Sequence, residues 1–281
     1  MRVAAFRAML VLFVVVIYLS LILLSALATR KKRSAIKMLR PGTTIPKSIM
    51  MTWKTELNES SPTAFLRNFN TVKRLHPDWN VVFLDDNGVE EFMYKADPIF
   101  REAYRRCDLR IQQIDIFRMA YVYAVGGFYL DCDVALSKPL DELLPNAAVF
   151  PQELSNTDSV LKKRGCAYRL GNYAFGAVPG HGLFIKYAER ARLMLAQLKI
   201  RSGEANNKRR VFYTTGTVAL TMSYLDYMES STYANDPAHD VRMLKGAGNA
   251  RFGYFGLHQL TGTWKNRPLS SGLGSGLGPR S

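Results

Sequence analysis

Residues 110–133 constrain the fold more than any other stretch of this chain. Arg110 to Val125 reads as a helix, Gly126-Gly127 stops it, and Phe128-Tyr129-Leu130 runs as an apolar strand into Asp131-Cys132-Asp133. On a helical wheel Ile111, Ile114, Phe117, Tyr121, Val122 and Val125 share one arc, the face expected to pack on a sheet. Arg118 falls inside that arc and Asp115 at its edge, one turn earlier, so the two side chains can meet. An unpaired charge on such a face is costly. The two therefore read either as an ion pair that fixes packing or as part of a polar ligand site at the end of the sheet. Alternation along a strand would put Asp131 and Asp133 on one side and turn Cys132 away. Two carboxylates so placed repel each other unless a cation sits near both. A hard divalent ion, Mg²⁺ or Mn²⁺, is the natural occupant, and the carboxyl end of a strand is where open α/β sheets bind ligands.

The flanking sequence repeats the alternation of strand and helix. Ile45 to Trp53 reads as a first strand. Ser61-Pro62 opens a helix, with Ser61 as cap and Pro62 at the first helical position, that runs to about Leu75. Val81 to Leu84 reads as a buried strand, and Asp86-Asn87 and Asp97-Pro98 start two more helices. Ala147 to Phe150 and Tyr173 to Val178 read as strands, Gly182 to Leu198 and Thr217 to Glu229 as helices. This pattern indicates an α/β sheet domain.

Ahead of that domain lies an uncharged run of 21 residues, Ala8 to Ala28. At about 1.5 Å per helical residue it can cross a hydrocarbon core of roughly 30 Å. It is longer than the apolar core of a signal peptide, although Ala26-Leu27-Ala28 fits a cleavage site. Arg30, Lys31, Lys32 and Arg33 follow the span, which favours a cytosolic body by the positive-inside tendency. Asn58-Glu59-Ser60, an acceptor triplet for N-glycosylation, favours the opposite side. The charge of +15 is concentrated at this end: residues 1–40 hold eight basic residues and no acidic one, leaving 30 basic against 23 acidic. That surplus suits anionic membranes or phosphate-bearing substrates. There is no zinc-finger spacing and no aromatic RNA-binding signature, so nucleic acid is not an expected partner. Cys107, Cys132 and Cys166 form no metal-ligand spacing and read as buried thiols. The expected organisation is an anchor over 1–29, a basic stem over 30–44, one domain over 45–269 and a Gly/Ser-rich tail over 270–281.

Several of these segments carry a family resemblance. Ile45-Pro46-Lys47-Ser48-Ile49, Trp53-Lys54 and His76-Pro77-Asp78-Trp79 look like the opening of glycosyltransferase family 32, which includes fungal mannosyltransferases and enzymes that mannosylate inositol phosphoceramide. Asp115-Ile116-Phe117-Arg118 through Gly126-Gly127-Phe128-Tyr129-Leu130-Asp131-Cys132-Asp133 is similar to that family's signature. The resemblance runs from about Ile45 to Trp264. It implies a GT-A fold with a mixed, mostly parallel sheet, a nucleotide-sugar donor, a divalent metal and retention of anomeric configuration. GDP-mannose is the favoured donor, ahead of UDP-galactose and UDP-glucose, and a glycolipid or glycan the acceptor. The habits of the family place such a domain in the Golgi lumen, as a type II membrane protein.

Carried over to this chain, the resemblance has Asp115 and Arg118 bind the donor's sugar hydroxyls, Asp131 contact ribose and sugar, and Asp133 hold the metal. Trp53 stacks on the nucleotide base or simply packs. Asn172-Tyr173-Ala174-Phe175 with Gly180-His181 resembles a stretch near the acceptor side, with His181 alternatively a helix cap. Thr214-Thr215-Gly216-Thr217 resembles a Thr-Gly-Pro motif without its proline. His258 would complete the metal shell and Trp264 the diphosphate pocket, or either is structural. Two other readings compete. A glycoside hydrolase also uses two carboxylates, but these flank the scissile bond from separate elements, unlike Asp131 and Asp133. A non-catalytic partner subunit would have little use for an intact Asp115, Arg118, Asp131 and Asp133.

Overall fold

Alternation along four central strands builds two cores, one on each face of a sheet. The computed structural model describes residues 44–155, 158–197, 207–230 and 239–260, all within the unit Arg40–Ser281. In chain order the elements are β1 (Ser48–Thr52), α1 (Thr63–Leu75), β2 (Asn80–Leu84), α2 (Asp86–Lys95), α3 (Pro98–Arg105), α4 (Arg110–Val125), β3 (Gly127–Leu130), β4 (Val134–Leu136), β5 (Ala148–Leu154), α5 (Ser159–Lys163), β6 (Tyr168–Leu170), β7 (Ala174–Ala177), α6 (Gly182–Gln197), α7 (Asn207–Thr214), α8 (Thr217–Met228), β8 (Val241–Lys245), β9 (Arg251–Phe252) and β10 (Gly256–His258). The large sheet has the order β2-β1-β3-β7-β5-β6, with β8 on the other side of β5. It is mixed: β1 runs parallel to β2 and β3, β8 parallel to β5, and β7 and β6 antiparallel to their neighbours. A small antiparallel sheet, β4-β10-β9, stands beside it.

Met50, Tyr129, Phe150 and Phe175 point into one core, with side chains of α2, α3, α4, α6 and α8. Their strand neighbours Ile49, Met51, Phe128, Leu130, Val149 and Ala174 point into the other, with α1 and the small sheet. Each buried large apolar side chain contributes about 1.5–3 kcal/mol of transfer free energy, so both faces of the sheet are held. The expected strands and helices are all present, with the differences at their ends. Ser61 does not cap α1: Pro62 occupies that position, and the Ser61 hydroxyl accepts from Asn58 N instead at 3.1 Å. Asp85 and Asp97 cap α2 and α3 through their side chains. Helix α4 is buried almost all round rather than along one arc, because α2, α3 and α6 cover the faces that the sheet does not, while Val125 at its end is exposed.

The two glycines between α4 and β3 have φ of 73° and 88°. At Gly127 a Cβ would lie 2.5 Å from the Ser48 carbonyl oxygen on the neighbouring strand. A side chain there is excluded both by conformation and by space, so the helix must end and the strand begin at this step. The cysteines are free thiols, with Cys132 and Cys166 buried. No helix among the described residues is long and apolar enough to cross a membrane. The span Ala8–Ala28, the basic stem up to residue 43, Trp264 and the tail 270–281 lie outside the described residues.

Candidate active site

Strand β3 ends at Leu130, one residue before the paired carboxylates. Asp131, Cys132 and Asp133 therefore occupy a tight turn, closed by Val134 N donating to Asp131 O at 2.9 Å, and not the strand that alternation suggested. The two carboxylates still converge, for a different reason. The Cys132 thiol is drawn inward to Thr52 O at 3.3 Å, and Asn68 on α1 donates to Cys132 O at 2.9 Å, which holds the turn down on β1 and α1. Gln259 N donates to Asp133 O at 2.8 Å and brings the end of β10 alongside. Ligand atoms of Asp131, Asp133 and His258 consequently lie within 4.8 Å of one another, with His258 Nε2 3.1 Å from Asp133 Oδ1. Two carboxylates and an imidazole brought this close are a donor set that suits Mn²⁺ or Mg²⁺. Burial would lower the His258 pKa. The hydrogen bond to Asp133 and the charges of Asp131, Asp133 and Glu153 outweigh it, and the imidazole is held above its ordinary value.

Behind this cluster sits Arg118, 3% exposed, at the centre of a closed network. Its Nη1 donates to the Asn172 carbonyl at 2.7 Å and lies 3.2 Å from Asp131 Oδ1; its Nη2 lies 3.5 Å from Asp115 Oδ1. The guanidinium carbon stands 4.6 Å from the centre of the Tyr129 ring, and the Tyr129 hydroxyl donates to Asp131. Asp115, also 3% exposed, accepts from Asn172 Nδ2 and from the Thr215 hydroxyl, each at 2.9 Å. Burial pushes the Asp115 carboxyl up, and Arg118 and the two donors pull it back, leaving it at about 7. Asp131 is likewise raised by burial and opposed first by Arg118. The arginine stays charged, since Asp131, Tyr129 and Asp115 offset its desolvation. The Asp115–Arg118 pair is thus a buried ion pair, and it reaches the carboxylate at the strand end.

Other sequence candidates divide by position. Trp53 lies just past β1, at the same end of the sheet as Asp131, half-buried with its ring 4.8 Å edge-on to Phe65 and Lys54 Nζ 4.9 Å above it. His181 is not near the cluster. Strand β7 runs antiparallel to β3, so Asn172 before it falls beside Asp131 and His181 after it falls at the opposite end. There His181 accepts from Leu183 N at 3.3 Å at the start of α6, and burial lowers its pKa to about 4. The helix-cap alternative is the one it serves. His76 is structural too, bonded to Val72 O and accepting from Leu140 N at 3.0 Å. Thr215 reaches Asp115 despite the missing proline, because Gln112 of α4 donates to Thr214 at 2.8 Å and Tyr187 donates to Thr215 O at 2.5 Å. Tyr129 was read only as a strand residue, and nothing in its spacing distinguished it.

Residues 62–150 match the family model described as glycosyltransferase sugar-binding region containing DXD motif. Inositol phosphoceramide mannosyltransferase 3 of Schizosaccharomyces pombe is 37% identical over 100 residues, which is 36% of this chain and 27% of that protein. The initiation-specific alpha-1,6-mannosyltransferase of Candida albicans is 30% identical over 120 residues, 41% of this chain and 31% of that protein. This chain therefore spans about a third or less of the length of these relatives. A solved structure, PaToxG Glycosyltransferase, is similar over 65% of this chain and 70% of that one, at 18% identity and a TM-score of 0.48. The resemblance read from the motifs and the family match coincide: residues 62–150, which run from α1 through the Asp131–Asp133 turn into β5, are similar to a DXD-containing glycosyltransferase sugar-binding region.

Proposed function

We propose that this chain is a metal-dependent glycosyltransferase of GT-A architecture. It moves a hexose, mannose from GDP-mannose, to a glycolipid or glycan acceptor of the inositol phosphoceramide kind, with retention of anomeric configuration. The observation that carries the reading is the convergence of Asp131 and Asp133, on a turn inside the DXD region, with His258 from β10, their ligand atoms all within 4.8 Å of one another. The names of the relatives support mannose as the sugar and inositol phosphoceramide as an acceptor.

Asp131, Asp133 and His258 would hold Mn²⁺ or Mg²⁺, which when bound supplies positive charge for the diphosphate leaving group. Asp131 keeps an outer edge open to solvent, with a side-chain exposure of 25%, while its inner side is fixed by Arg118 and Tyr129. That edge is suited to ribose and sugar hydroxyls. Asp115 and Arg118 stand directly behind it, where the arginine offsets the carboxylates that a negatively charged donor must approach. In this arrangement their first service to the sugar is to hold Asp131 in place. Trp53, at the same end of the sheet, offers a ring for the nucleotide base, and Trp264 is assigned to the diphosphate by resemblance alone. The acceptor hydroxyl attacks from the face that the diphosphate leaves, as a front-face displacement.

A donor screen with Mn²⁺, reading transfer and hydrolysis of each nucleotide sugar, tests this. GDP-mannose is expected to turn over, and turnover should fall to background in excess chelator and in Asp133→Asn, whose circular dichroism should match the wild type. Turnover that survives chelation or this substitution would remove the metal. Turnover of UDP-galactose or UDP-glucose alone would replace the donor, and binding of a nucleotide sugar without turnover would make the chain a non-catalytic partner subunit.

A further inference from the structure

Among the described residues, no hydrogen bond on Nδ1 orients the His258 ring. A metal-binding imidazole is ordinarily fixed by a partner on its second nitrogen, which sets the ring plane. His258 Nδ1 is buried and makes no hydrogen bond among the described residues. A neighbouring ring covers it instead. Tyr173 stacks on the imidazole with centroids 4.3 Å apart and planes 18° from parallel. The same residue's carbonyl accepts from Asp131 N at 2.7 Å. We propose that Tyr173 is a positioning residue of the metal centre, setting the plane of His258 by stacking and the place of Asp131 through its main chain. The inference rests on the reading of Asp131, Asp133 and His258 as metal ligands.

Two features show that the ring itself is what this position uses. Tyr173 is 4% exposed, and its hydroxyl is buried with no hydrogen-bond partner among the described residues. A hydroxyl so placed is a cost and not a contact, so the aromatic face must be the contribution. The chain also makes room for it: a Cβ on Gly171 would lie 2.7 Å from the Tyr173 ring and 2.8 Å from Pro151. The intervening Asn172 binds Asp115 with its amide and Arg118 with its carbonyl. The tripeptide Gly171-Asn172-Tyr173 thus joins both halves of the site, the buried ion pair through Asn172 and two candidate ligands through Tyr173.

The test is Mn²⁺ binding by the full chain in detergent, without any sugar donor. Titration calorimetry reads affinity, and pulsed electron paramagnetic resonance reads the nitrogen coupling of a bound imidazole. Tyr173→Leu is expected to weaken Mn²⁺ binding about 10–100-fold and to lose or alter the nitrogen coupling. Tyr173→Phe should keep both at the wild-type level, and its melting temperature should stay equal or rise. A packing role alone would move the melting temperature and leave the coupling unchanged. A folded Tyr173→Leu with wild-type affinity and coupling overturns the inference, while wild-type binding and its loss in His258→Ala leave the ligand assignment standing. Wild-type protein that binds no Mn²⁺, or a His258→Ala that binds as well as wild type, overturns both. Should Tyr173→Leu fail to fold, Gly171→Ala carries the same readouts, since its added methyl displaces the ring without touching a ligand.

Discussion

Arg118 has no solvent to turn to if a partner is lost. Its guanidinium is shared among Asp115, Asp131 and the Asn172 carbonyl. Removing one member of a buried pair typically destabilises by about 3–5 kcal/mol, whereas replacing both members with apolar residues is often neutral. Arg118→Leu is therefore expected to lose about 3–5 kcal/mol, and Asp115→Leu/Arg118→Leu to recover much of it. The loss should also depend on pH, with a sign that follows from Asp115. Its folded pKa is already raised to about 7, and without Arg118 it rises further. A raised folded pKa favours the fold at low pH, where the acid is protonated, and that advantage is lost as pH rises through the folded value. Arg118→Leu should accordingly be less destabilised at pH 5 than at pH 8, as read by chemical denaturation. The double variant separates stability from function: it should fold, yet turn over donor at a small fraction of the wild-type rate, because Asp131 has lost its anchor. Wild-type turnover in a folded double variant would leave the pair a purely structural device.

At the scale of elements, the site depends on β1 and β3 ending together, and the Gly126-Gly127 step sets where β3 begins. Gly127→Ala adds a Cβ 2.5 Å from a neighbouring backbone carbonyl, at φ 88°. Strain at such a backbone costs about 1–3 kcal/mol, and overpacking against a sheet adds a similar amount. Gly165, at φ 66° with nothing within 4 Å of an added Cβ, isolates the conformational part. Gly165→Ala should cost the lesser amount and Gly127→Ala clearly more, measured by the same denaturation. Equal losses would show that the close approach of β3 to β1 does not matter. The sequence made this step legible because glycine is the one residue that tolerates both conditions. It also made α4 legible to the residue, since the apolar run and the stop coincide. The alternation argument for Asp131 and Asp133 reached the right pairing by the wrong geometry: a turn, anchored through Cys132 and Asn68, brings the carboxylates together. That anchoring depends on partners 64 and 80 residues away, which no local pattern records. The short strands β4, β6, β9 and β10 escaped for a related reason, being two or three residues long and defined by pairing alone. His258 was reached by resemblance, and the ring stacked on it is visible only in three dimensions.

At the scale of the whole molecule, the orientation proposed is a type II membrane protein of the Golgi with its catalytic body in the lumen. The uncharged run Ala8–Ala28 supports the anchor, and the acceptor triplet at Asn58 supports the lumen. The structure describes that triplet in a form open to modification. Asn58, Glu59 and Ser60 are all exposed in the loop between β1 and α1. The Asn58 side-chain oxygen accepts from Ser60 N at 2.9 Å and from the Ser60 hydroxyl at 2.6 Å, so the two side chains that an N-glycosylating enzyme must address already meet. Asn58 also lies 30 residues past Ala28, away from the bilayer surface in sequence. Against this stand Arg30, Lys31, Lys32 and Arg33, which outnumber Arg2, Arg7 and the amino terminus across the span. The difference is small, and the first-helix charge bias is a tendency that other signals override. A glycosidase that removes N-glycans is therefore expected to shift the mobility of the full chain expressed in a eukaryotic cell. Asn58→Gln should abolish that shift without changing donor turnover, because the loop lies outside the cluster of Asp131, Asp133 and His258. Protease added to sealed vesicles should leave the body intact. Digestion of the body in sealed vesicles, with no glycan on Asn58, would place it in the cytosol and make the basic cluster the stronger signal.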